Sequence, residues 1–144
     1  MSSLTLDSLK KAGHDARANN SILEAIYTDG RNVRGSCIPI ANEMQDMLVY
    51  EDVPDEGVQK VRCFVLGEEL HYCIAVDSSL ISDTPHTSGM TLVDASIDQF
   101  CSEQKEEGNV DVALGSYDEL PEVAVIPPDD SRKSWYKSMT IGGV

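Results

Sequence analysis

The sequence predicts an α+β fold in which N-terminal helices and a cysteine-bearing helix pack on an antiparallel sheet. Three observations carry that expectation. Apolar residues recur at helical spacing through the first third of the chain. At Val58 the period changes to two, and a short Gly-containing connection then joins two alternating runs. Further short strands follow that hairpin, and helices followed by paired strands imply α+β rather than a parallel α/β sheet.

The elements follow in order. Leu4, Leu9, Ala12, Ala16, Ile22, Leu23 and Ile26 give residues 4–29 a helical reading, broken near Asn19–Ser21 into two shorter helices. TDGRNVRGS reads as loop. The next helix starts at Cys37, with Ser36 as its N-cap and Pro39 inside the first turn, where a missing N–H does little harm. Ile40, Ala41, Met44, Met47 and Leu48 form its inward stripe, and EDVPDEG ends it. Val61, Cys63 and Val65 then point one way, opposite to Arg62, Phe64 and Leu66. After Gly67-Glu68-Glu69, Leu70, Tyr72, Ile74 and Val76 share one face of a second strand, and His71, Cys73 and Ala75 share the other. Residues 78–90 are turn-like, TLVDAS is a short strand, and Ile97–Glu107 reads as a helix. VDVAL and VAVIPP are late strands, the second stopped by Pro127-Pro128. In the tail, Trp135 and Tyr136 are expected to pack on the body.

The 144 residues suit a single domain with one core. It divides into a helical part at 1–30, a core at 31–128 and a tail at 129–144. No apolar run approaches the ~20 residues that span a bilayer, and the polar N-terminus lacks a secretory core. A cytoplasmic protein that binds no membrane is expected. Twenty-five acidic residues against eleven basic ones give a formal charge of −14. That field repels phosphate backbones and argues against nucleic acid. It suits a salt-rich, halophilic cytoplasm, where self-repulsion is screened, and it favours neutral or cationic substrates. The four cysteines, Cys37, Cys63, Cys73 and Cys101, form no CxxC pair. Reduced thiols are therefore expected rather than disulfides, with no metal site and no cofactor.

Cys37 stands where unpaired N–H groups and the helix macrodipole stabilise a thiolate. Gly35 leaves room beside it. His71 begins a strand, on a face whose small neighbours Cys73 and Ala75 would let the cysteine helix lie close. Asp94 sits in LVDAS between apolar neighbours, and a buried carboxylate needs a partner such as an imidazole N–H. His14 and His86 lack a comparable setting. For an oxyanion donor the candidates are Asn32 and Gln99, the latter because SIDQF follows the acid closely.

Three blocks resemble the transglutaminase-like branch of the papain-type cysteine enzymes. Gly35-Ser36-Cys37 with Ala41 and Met47-Leu48 is similar to that family's G-x-C-x-x-x-A helix. HYCIAV, residues 71–76, resembles its H-x-x-V-x-V strand, and LVDAS, residues 92–96, its V-D-P-T block. The spacings of 34 and 23 residues suit compact members. The resemblance implies a papain/transglutaminase-like core, with Cys37 as nucleophile, His71 as base and ion partner, and Asp94 as orienting acid. It also implies thiol-dependent hydrolysis, deamidation or transamidation of a peptide, protein or amide substrate through an acyl-thioester. Two departures stand out. Cys73 replaces the aromatic residue often found two after the histidine, and DVPDEGVQKVR replaces Gly-Ile-Pro-Ala-Arg after the cysteine helix. They keep open a catalytically inactive binding module of the same fold, and beyond it an unrelated α+β interaction protein.

Overall fold

The computed structural model describes residues 4–19, 37–49, 57–65, 69–106, 113–116 and 119–141. Two helices pack on a five-stranded antiparallel sheet. Helix α1 spans Leu6–Asn19 and buries Leu9, Ala12, Gly13, Ala16 and Arg17. Thr5 and Ser8 cap its start reciprocally: the Ser8 N–H donates to Thr5 Oγ1 at 3.0 Å and the Thr5 N–H to Ser8 Oγ at 2.8 Å. Gly13 sits mid-helix because a Cβ there would lie 2.6 Å from Val123 Cγ1, so its absence lets α1 approach that side chain. Helix α2 spans Cys37–Val49 with Ile40, Ala41, Met44 and Leu48 of the expected stripe buried and Met47 partly buried beside them. The Ser36 cap, the second N-terminal helix and the Gly67-Glu68 connection lie outside the described residues.

Strands β1 (Val58–Val65) and β2 (Glu69–Asp77) form the expected hairpin, with Cys63 opposite His71 and Val61 opposite Cys73. Strand β3 (Met90–Asp94) pairs with β2, β4 (Ala124–Ile126) with β3, and β5 (Tyr136–Ile141) with β1, giving the order β4-β3-β2-β1-β5. The tail therefore completes the sheet rather than lying on it. Its strand escaped the sequence reading because every residue after Tyr136 is exposed, so an edge strand shows no period-two burial. Tyr136 and Trp135 do pack on the body.

The expected helix at Ile97–Glu107 is two pieces. Ile97–Phe100 is a turn of 3₁₀-helix, Cys101 is extended and buried, and α3 covers only Ser102–Glu106. Ile97 and Phe100, three apart, turn inward together as 3₁₀ geometry requires. Cys101 then bridges to Gly115 and interrupts the helix. Of the expected VDVAL strand, residues 110–112 lie outside the described residues, and 113–116 hold only that bridge.

Two cores flank the sheet. On one face Tyr72, Ile74, Val76 and Val93 pack with α1 and α2. On the other Val61, Cys63, Cys73, Ala75, Leu92, Ile97, Phe100 and Tyr136 pack together. This corrects the expectation that the small residues Cys73 and Ala75 admit the cysteine helix: α2 lies on the Tyr72 face, and the small residues make room for Phe100 and Tyr136. Among the described residues no helix is long and apolar enough to cross a membrane.

Candidate active site

His71 enters β2 on the face away from the helices and is fully buried. A buried imidazole needs partners for both nitrogens. Its Nε2 lies 2.7 Å from Asp94 Oδ2 and its Nδ1 2.8 Å from Gln99 Nε2. The Phe100 ring meets it edge-on, with centroids 5.1 Å apart. Cys37, the first residue of α2, is half-buried and near enough to the same ring to favour its charged form.

Asp94 ends β3 and is also fully buried. Its Oδ1 accepts the Ser96 N–H at 3.0 Å and the Ser96 hydroxyl at 3.4 Å, a local turn of the kind short acids favour. Its Oδ2 accepts the Tyr136 hydroxyl at 2.8 Å in addition to His71. Tyr136 was read from the sequence only as a packing residue. A phenol in a tail of basic and hydroxyl residues carries no sign of its partner until the strand bearing it is placed.

These contacts set the charges. Burial pushes the Asp94 carboxyl up, but the His71 charge and hydrogen bond, the Ser96 N–H and the Tyr136 hydroxyl outweigh it and hold Asp94 below its ordinary value. Burial alone would lower His71, yet the Asp94 charge and hydrogen bond, with a further contribution from Cys37, raise it to about 10. The pair is therefore imidazolium–carboxylate at neutral pH. Burial and the Asp94 charge push the Tyr136 phenol well above its usual range.

Gln99 responds to that charge. With its N–H donating to Nδ1, it fits a neutral imidazole protonated on Nε2; turned over, its carbonyl accepts from an imidazolium. Amide orientation and ring charge change together. Gln99 thus stands at the site, but on the imidazole. The other oxyanion candidate, Asn32, lies outside the described residues. His14 is exposed on α1, and His86 pairs with Asp129 at 3.2 Å in a surface loop. All four cysteines are free thiols. Among the described residues no group of three or more His, Cys, Asp or Glu side chains is arranged to hold a metal ion. The chain matches no family model, no curated protein and no solved structure.

Proposed function

We propose that the protein performs thiol-dependent acyl chemistry on a peptide, protein or amide substrate, on a papain/transglutaminase-like core. The observation that carries this reading is the buried, hydrogen-bonded His71–Asp94 pair with the half-open Cys37 thiol near enough to add to the imidazole's charge. In this reading the proton given up by the Cys37 thiol rests on the His71 imidazolium, which Asp94 holds through Nε2. The thiolate adds to the substrate carbonyl carbon. Collapse of that adduct breaks the C–N bond, and the amine leaves with the proton held on His71. The acyl-thioester is then released as an acid by water, or as a new amide by an acceptor amine. Ile38, which follows Cys37, is 43% exposed, which supports a substrate carrying an apolar group beside the bond attacked.

A second reading, a non-catalytic binding module of the same fold, rests on Gln99, which takes the imidazole nitrogen that the thiol needs. Alkylation separates the two. In the enzyme reading iodoacetamide labels Cys37 selectively down to about pH 6, and His71→Ala abolishes the low-pH labelling. p-Nitrophenyl acetate then gives an acylation burst that Cys37→Ser removes. Labelling that is equal at all four cysteines, or that waits for unfolding, leaves only the binding module.

A further inference from the structure

The last turn of α1 carries an arginine that the chemistry above does not use. Arg17 is 4% exposed, and the Asp98 carboxylate that it grips is fully buried. Nη1 donates to Asp98 Oδ1 at 3.0 Å and Nη2 to Asp98 Oδ2 at 3.2 Å. Nη1 also donates to the Ala95 carbonyl at 2.8 Å and the Glu122 carbonyl at 3.2 Å, and Nη2 lies 3.6 Å from Glu122 Oε2. A buried ion pair gains little over apolar residues of similar volume, because desolvation offsets the attraction. A guanidinium fork supplies direction, which an apolar pair cannot.

The atoms that it directs are next to the site. Ala95 follows Asp94 in the chain, and Asp98 precedes Gln99, so the fork grips both ends of the turn between them. Those outer residues occupy the two nitrogens of His71. We propose that Arg17 is a positioning residue of the active site: through Ala95 and Asp98 it sets Asp94 and Gln99 on opposite nitrogens of His71. The N-terminal helix, in sequence a simple amphipathic element, is then part of the catalytic apparatus. The inference rests on the thiol reading above.

Among the described residues, the titratable groups near His71 are Asp94 from β3, Cys37 from α2, Tyr136 from β5, and the thiols of Cys63 on β1 and Cys73 on its own strand. Arg17 reaches the site through that turn, by the Ala95 carbonyl and the Asp98 carboxylate. The test replaces the pair with apolar residues, Arg17→Met with Asp98→Leu, which spares the fold a lone buried charge. The readouts are the pH profile of Cys37 alkylation and the ¹⁵N resonances of the His71 ring. The expected result is a folded protein whose alkylation at pH 6 falls about tenfold, a midpoint shift of about one pH unit, with the Nδ1 signal displaced. Arg17→Lys, which keeps the charge but not the fork, should show a smaller shift in the same direction. It decides the matter by the same readouts if the double variant does not fold. A pH profile and ring spectrum unchanged within twofold, in a folded variant, overturn the proposal. Absence of selective Cys37 labelling in the unaltered protein overturns the thiol reading instead.

Discussion

The two faces of the sheet hold their contents by different means. Beneath the helices, Leu4, Leu9, Ile40, Met44, Leu48 and Ile74 are almost wholly buried and meet other apolar side chains. Each contributes what its removal from water and its fit are worth. Across the sheet, similar burial surrounds a carboxylate, an imidazole, a phenol and two thiols. There a side chain is worth what its partners make of it, because a polar group left unpaired in the same place would be a liability. One face should therefore degrade by increments, and the other by the failure of a network.

Asp94→Ala breaks that contrast most severely. It strands His71 in a buried site, where burial alone would lower its pKa, and leaves the Tyr136 hydroxyl without its acceptor. The expected loss is about 3–5 kcal/mol by urea unfolding, as for other broken buried pairs. Low-pH labelling of Cys37 should vanish with it. Leu48→Ala, across the sheet, is expected to cost about 3 kcal/mol through lost transfer energy and a cavity. Its labelling pH profile should stay where it was. A shifted profile in Leu48→Ala would show that the faces are not independent.

Gly13→Ala gives a smaller effect with an informative sign. Helix propensity alone predicts a gain of about 1 kcal/mol. The new methyl would stand 2.6 Å from Val123 Cγ1, and the crowding should instead cost about 2 kcal/mol. A raised melting temperature would mean that α1 can shift away from β4 without loss.

Much of this was legible in the sequence, for identifiable reasons. The α2 stripe and the β1–β2 hairpin impose their periods on every third or second residue, so they survive without knowledge of the partner. The His71–Asp94 contact could be anticipated because a carboxylate between apolar neighbours needs a partner and an imidazole N–H is a natural one. The face on which α2 packs could not be read, since both faces of β2 are apolar enough to be cores. Tyr136 and Arg17 escaped for a different reason. Their partners lie 42 and 81 residues away, and no local pattern marks a phenol or guanidinium that will be buried against a distant acid.

Tyr136→Phe tests the network at its mildest. Asp94 keeps His71 and both Ser96 donors, so the loss at neutral pH should be about 1.5 kcal/mol, the lower end for a hydrogen bond to a charged group. The pH dependence is more revealing. Asp94 is held below its ordinary value, so its contribution is present above the unfolded pKa and is lost as pH falls through the folded one. Without the phenol that folded value rises, and the acid limb of the stability curve should begin at higher pH. His71 is raised to about 10, so its contribution is full below its unfolded value of 6.5 and is lost as pH climbs through 10. Tyr136, itself raised, adds loss above its own unfolded value. In Tyr136→Phe the alkaline limb should therefore become shallower while the acid limb moves up. Asp94→Asn should remove the His71 part of the alkaline limb instead. Melting temperatures from pH 3 to 11 for the two variants separate the contributions; parallel curves would mean that the phenol serves the apolar face and not the carboxylate.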